Sequence, residues 1–149
     1  MNNPIIDEAR LWLGTPYLHQ ASCRGVGADC LGLVRGIYRA LYGREPQAPP
    51  PYAAYAIPHD GEILLEAAQQ YLEAASVPAQ VGQVMIFRMR RSLPARHLAI
   101  MSFEGRMIHA ASGLQVCEVA FSAWWQRRLI AAFSFPPLSP VSIPEQEQA

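Results

Sequence analysis

The chain has 149 residues, 51% of them hydrophobic and 16% charged, which is the make-up of one globular domain and excludes a disordered chain. Twelve basic and twelve acidic residues give a formal net charge of zero, so no global field directs the protein to nucleic acid or to an anionic membrane. No apolar run approaches the ~20 residues that span a bilayer.

The first eight residues carry neither a basic region nor an uninterrupted apolar stretch. They do not read as a signal peptide, and the expectation is a protein made and kept in the cytoplasm unless something else carries it out. Asn3 can cap a first helix, with Pro4 at its first position and Gly14 past its end. Ile6, Ala9, Trp12 and Leu13 form its apolar stripe. Residues 15–28 are rich in turn formers and read as a loop ending at an Asp29 cap. A second helix runs from Cys30 to about Tyr42, with Leu33, Val34, Ile37, Tyr38 and Leu41 inward and Gly43 as the stop. Residues 45–58 hold Pro46, Pro49, Pro50, Pro51 and Pro58 and read as an irregular connection. Asp60 caps a third helix to about Ala75, with Leu64, Leu65, Ala68, Tyr71 and Leu72 on one side.

After Pro78 the period changes to that of strands, expected over 83–89, 97–103, 106–111, 115–119 and 129–135, with a short helix over 122–127. The fold class is therefore α+β, with N-terminal helices packed on a mainly antiparallel sheet of about five strands. Residues 1–135 form one domain. The proline-rich tail, 136–149, is expected to be extended, and either disordered or bound to a partner.

The chemistry concentrates at Cys30, which follows a capping aspartate and heads an apolar, helix-periodic run. The unpaired N–H groups of a helix N-terminus favour thiolate over thiol, and thiolate is the nucleophile. An imidazole alongside can exchange its proton. The plainer reading is a small buried hydrophobe, as most free cysteines are. Gly32 and Gly36 weaken the helix but leave room for a sheet to approach it closely, bringing histidines with it.

His97 and His109 provide the sharper test. Phe103-Glu104-Gly105 fits a three-residue hairpin loop, which pairs Ser102 with Arg106 and Ala99 with His109. Both histidines then share one sheet face as diagonal neighbours. A two-residue Glu104-Gly105 loop would instead separate them. The three-residue register gives a histidine base oriented by a second histidine, the order of roles in a cysteine triad. Otherwise both are half-buried strand residues with ordinary hydrogen bonds.

Three cysteines are an odd set and argue against a disulfide framework. Cys23, Cys30, His97 and His109 lack zinc-finger spacing, so neither metal nor cofactor is expected. His19 and His59 read as surface loop residues, and Cys23 and Cys117 as packing residues. Arg88, Arg90, Arg91 and Arg96 surround the segment that delivers His97. They read first as a solvated cluster, and alternatively as a rim that binds substrate carboxylates or docks a partner. Without interleaved aromatics the cluster does not read as a nucleic-acid surface.

Together, Gly14-Thr15-Pro16-Tyr17, Asp29-Cys30-Leu31-Gly32-Leu33-Val34, Gly82-Gln83-Val84-Met85-Ile86-Phe87, His97-Leu98-Ala99-Ile100 and Met107-Ile108-His109-Ala110 resemble the NlpC-type, papain-like cell-wall peptidases. The closest resemblance is to the branch encoded with tail genes of bacteriophages and gene transfer agents. Many members have serine where Leu31 stands and aspartate where Gln83 stands. Tandem glycines commonly replace Leu18-His19-Gln20-Ala21-Ser22.

The resemblance implies hydrolysis of an amide in the peptidoglycan stem peptide, commonly between D-γ-glutamate and diaminopimelate. It implies Cys30 as nucleophile, His97 as base and His109 as the residue orienting it. The Cys30 backbone N–H would hold the oxyanion, Tyr17 would line the substrate cleft, and Asp29 would both cap the helix and meet a substrate amine. The expected partners are the stem peptide and phage-like tail-tip or baseplate proteins, in an assembled particle, with no nucleic acid or membrane. Two other readings remain open: a structural tail component that kept the fold without turnover, and a related cysteine amidase or acyltransferase.

Overall fold

A computed structural model describes residues 2–45, 52 and 61–138. Helix α1 (Pro4–Leu11) begins where Asn3 turns extended and its side-chain oxygen accepts the Ile5 and Ile6 N–H groups at 3.0 and 3.2 Å. Ile6, Ala9 and Trp12 are buried as expected, but Leu13 is 41% exposed. The helix stops before it, and Gly14 N–H already bonds to the Val116 carbonyl, so Leu13 has left the helical phase.

Residues 15–28 are more regular than a loop. They contain a small antiparallel pair, β1 (Ser22–Cys23) and β2 (Gly27–Ala28), and bridge to Gln115 through Pro16. Helix α2 (Cys30–Tyr42) has the expected limits: Asp29 Oδ1 accepts the Gly32 N–H at 2.7 Å, and Gly43 closes it in the left-handed region. Its glycines serve other neighbours than the sheet. A Cβ on Gly32 would stand 1.8 Å from the Ala21 carbonyl oxygen, and one on Gly36 would stand 2.0 Å from the Trp12 ring. Their absent side chains admit the 15–28 segment and α1.

Helix α3 (Ile63–Tyr71) is shorter than expected, and Asp60 and His59 lie outside the described residues. Its C-terminal stretch is strand β3 (Glu73–Ala75), which pairs antiparallel with residues 132–134. The helical stripe is continuous in sequence, but the chain turns extended at Leu72 and the open sheet edge supplies backbone partners.

The remaining elements are β4 (Val84–Phe87), β5 (His97–Met101), β6 (Arg106–Ala110), β7 (Val116–Ala120), α4 (Ala123–Gln126) and β8 (Leu129–Ser134). The main sheet has six strands rather than five, in the order β3-β8-β4-β5-β6-β7, and every pairing is antiparallel. Its two faces sort by residue parity. Val84, Ile86, Leu98, Ile100, Ile108 and Val116 join Ile6, Trp12, Leu33 and Ile37 in the main core. Met85, Phe87, Ala99 and Met107 form a smaller core beneath Phe121 and Trp125. Each large apolar side chain so buried contributes about 1.5–3 kcal/mol.

The β5–β6 hairpin has the three-residue register. Ile100 pairs with Ile108 and Met101 with Met107, and Ser102 N–H bonds to the Arg106 carbonyl at 2.8 Å. Glu104 and Gly105 both sit at positive φ. No described helix is long and apolar enough to cross a membrane. Of the tail, residues 136–138 are described, and the Tyr42 hydroxyl donates to the Pro136 carbonyl at 2.5 Å.

Candidate active site

Cys30 is the first residue of α2, and its thiol contacts the Arg96 carbonyl at 3.5 Å. The N–H groups of Leu98, Leu31 and Cys30 also face the sulfur. The nucleophile candidate therefore lies between a helix N-terminus and the head of β5, where His97 stands.

His97 and His109 come from paired strands, and His97 Nε2 lies 2.9 Å from His109 Nδ1. The ring centroids are 5.1 Å apart and the planes nearly perpendicular at 87°. One nitrogen donates and the other accepts, so the two tautomers are complementary. With Nε2 engaged by His109, Nδ1 is the nitrogen through which His97 could exchange a proton with a thiol.

Burial opposes the thiolate. Desolvation first, and the neighbouring Asp29 carboxylate second, push the Cys30 thiol up to about 12 although three backbone N–H groups pull it down. The helix-terminus effect expected from sequence is thus outweighed. Desolvation, then His109, pulls the His97 imidazole down to about 3, and burial also lowers His109. The resting pair is neutral thiol and neutral imidazole.

Trp125 in α4 was not legible as a site residue. Its indole stacks on the His97 ring, with centroids 5.1 Å apart and an interplanar angle of 24°, and meets His109 edge-on at 5.3 Å. Phe87 closes another side of His97 at 5.9 Å. Nothing in the local sequence marks this role, since Trp125 reaches His97 only through the packing of α4 on the sheet.

Asp29 is 2% exposed. Besides the Gly32 N–H, it accepts the Gln20 N–H at 2.7 Å and the Tyr52 hydroxyl. His19 is not a bare surface residue: its Nε2 lies 2.7 Å from the Tyr52 carbonyl, and its Nδ1 3.7 Å from Asp29 Oδ2. Tyr52 was hidden because a proline-rich connection gives no periodicity to place a side chain. Tyr17 stands beside Cys30, and its phenol is pushed up to about 12, by burial first and then by its neighbours Cys30 and Asp29.

Glu62 fixes the loop that delivers His97. Its carboxylate pairs with Arg88 at 2.7 Å and accepts the Ala95 N–H at 2.9 Å. Arg88 also donates to the Leu93 carbonyl at 2.7 Å.

The model of the NlpC/P60 family matches residues 14–134, which include Tyr17, Asp29, Cys30, His97, His109 and Trp125. The chain belongs to the NlpC/P60 family.

Solved NlpC/P60 structures share the fold. The chain is 22% identical to the NlpC/P60 domain of the peptidoglycan hydrolase SagA, with a TM-score of 0.63 over 90% of this chain and 100% of that one. It is 21% identical to a Bacillus cereus NlpC/P60 family protein (TM-score 0.65, 90% of this chain, 40% of that one). It is also 22% identical to a lipoprotein-like NLP/P60 family protein of Staphylococcus aureus (TM-score 0.61, 90% of this chain, 41% of that one). The chain thus spans about two fifths of the length of these last two. Among curated proteins no match was found.

In this NlpC/P60 chain the α+β, papain-like architecture expected from sequence is present. Cys23 is exposed in β1 rather than packed, although its strand partner Gly27 in β2 is buried. Cys117 is half-buried opposite His109 in the β6–β7 ladder, and burial raises its thiol.

Proposed function

We propose that the chain is a cysteine peptidase that hydrolyses an amide of the peptidoglycan stem peptide, at the D-γ-glutamyl–diaminopimelate bond. The observation that carries this reading is the 2.9 Å contact of His97 Nε2 with His109 Nδ1, with the Cys30 thiol 3.5 Å from the carbonyl of Arg96, the residue before His97. NlpC/P60 membership and the SagA likeness support peptidoglycan as the substrate.

The reaction follows from the residues. A bound substrate displaces water, and His97 Nδ1 takes the Cys30 proton as sulfur attacks the amide carbon. His109 holds the imidazolium through Nε2. The oxyanion is stabilised by the Cys30 backbone N–H at the head of α2. His97 then gives its proton to the leaving amine, leaving a thioester. A water molecule, deprotonated by His97, attacks that thioester and releases the carboxylic acid and the thiol. Tyr17 lines the cleft. Asp29 supports the loop and the helix head, and a substrate amine would meet it only in competition with Tyr52.

We further propose carriage in a phage-like tail tip or baseplate, where the peptidase opens the wall locally during DNA delivery. The resemblance of Cys30-Leu31-Gly32-Leu33-Val34 to the tail-encoded branch supports this. The alternative is a tail component that keeps the fold with little turnover.

Mass spectrometry of defined muropeptides incubated with the native chain and with Cys30→Ala tests the reading. A stem-peptide product absent from the mutant supports the peptidase and identifies its bond. No product from the native chain overturns it.

A further inference from the structure

Five of the twelve arginines line one open cavity of about 400 Å³: Arg88, Arg90, Arg91, Arg127 and Arg128. They come from two segments, the one following β4 and the one joining α4 to β8. Arg88 N–H bonds to the Arg128 carbonyl at 3.0 Å, where the β4–β8 register shifts between Ile86 and Phe87. The arginines of the two segments line one hollow next to that irregularity.

The cavity is strongly cationic in a chain of zero formal net charge, and no acidic residue lines it. Arg88 is offset by Glu62. Arg90, Arg91 and Arg127 are exposed and have no carboxylate partner among the described residues. Arg128 is held in place, its guanidinium 3.6 Å from the Trp124 ring centroid and donating to the Trp124 carbonyl at 2.8 Å. A fixed guanidinium beside three uncompensated ones suits an anion with several oxygens.

The cavity is lined by chain neighbours of the two rings that flank His97. Arg88 directly follows Phe87, and Arg127 comes two residues after Trp125; both of those rings flank His97. We infer that this arginine pocket is a substrate subsite that takes carboxylates of the stem peptide beyond the reacting amide, on the His97 side. The inference rests on the peptidase reading above. It identifies the rim as a specificity element made by two chain segments, with Arg127 and Arg128 in it and Arg96 outside it.

Calorimetry with the full chain carrying Cys30→Ala tests it without turnover. The probes are one muropeptide with free carboxylates and the same muropeptide with those groups amidated. The free acid should bind about tenfold more tightly, with a strong salt dependence. Adding Arg90→Gln, Arg91→Gln and Arg127→Gln should erase the difference, while Arg127→Lys alone should keep most of it. Unchanged circular dichroism checks that these exposed substitutions leave the fold intact. Equal affinity for the two peptides, a preference that survives the triple substitution, or no binding of either peptide overturns the inference. Inorganic phosphate that displaces the free acid at equal or lower concentration than acetate assigns the pocket to phosphate-type anions and overturns the carboxylate assignment. Absence of hydrolysis by the native chain counts against the peptidase alone, because the binding readout needs no chemistry.

Discussion

His97 Nε2 and His109 Nδ1 approach to 2.9 Å with their rings nearly perpendicular. That geometry fixes the His97 tautomer from one side and leaves its other ring nitrogen for proton transfer. Truncating the orienting partner should therefore act on the chemical step. His109→Ala should lower kcat about a hundredfold with little change in KM, and His109→Asn, which can still accept from Nε2–H, should recover part of the loss. Steady-state kinetics on one muropeptide would measure both. Equal losses in the two variants would show that the hydrogen bond is not what His109 supplies.

Trp125 holds the other face of the same imidazole. Trp125→Ala should lower kcat about tenfold and raise the pKa of the His97-dependent limb of the pH–rate profile, since solvent then reaches the ring. Trp125→Phe keeps an aromatic face and should lie between. A pH–rate profile identical to the native one would assign Trp125 to packing alone.

Burial of the histidines makes the fold acid-sensitive in a definite direction. The folded His97 resists protonation down to about pH 3, and His109 is lowered as well. Below the ordinary histidine pKa of about 6.5, the unfolded chain binds protons that the folded chain refuses. Stability should be fully present above that pH and fall as pH drops below it, by up to about 1.4 kcal/mol per pH unit for each histidine. Urea midpoints at pH 7.5, 6.0 and 5.0 would reveal the trend, and His109→Gln should flatten it.

The Cys30 thiol should alkylate slowly near neutral pH in the free protein, because burial and Asp29 hold it near 12. Asp29→Asn removes the like charge and should speed iodoacetamide labelling several-fold at pH 8. Asparagine keeps an oxygen for the Gly32 N–H cap and gives up the second oxygen that accepts from Gln20 and Tyr52. Labelling that is unchanged in Asp29→Asn would mean that desolvation alone sets the thiol.

Gly32 tests the frame of the site. A methyl there meets the Ala21 backbone oxygen at 1.8 Å, whereas at Gly36 it meets the Trp12 side chain at 2.0 Å. Both alanine substitutions should destabilise, by about 1–3 kcal/mol. Gly32→Ala should be the worse, since a backbone carbonyl cannot rotate away as a ring can. It should also lower activity by moving the 15–28 segment against Cys30. Thermal unfolding and kinetics on both variants would check the ranking.

Much of the frame was legible in the chain because its signals are local. Asn3 with Pro4, and Asp29 with Gly43, mark helix ends through backbone groups a few residues away. Phe103-Glu104-Gly105 set the hairpin register through its own turn geometry, which put both histidines on one face. The sequence by itself thus determined the helices, most of the strands, and the thiol and two histidines as candidates.

Tertiary structure decided what surrounds them. Residues 73–75 follow a helical stripe yet pair with β8, because an open sheet edge outweighs weak local propensity. Trp125, Tyr52 and Glu62 reach the site across long stretches of chain, and no periodicity encodes such a meeting. The thiol's charge state went the same way. A helix N-terminus is visible in sequence, but the burial and the neighbouring carboxylate that outweigh it exist only once the chain has packed.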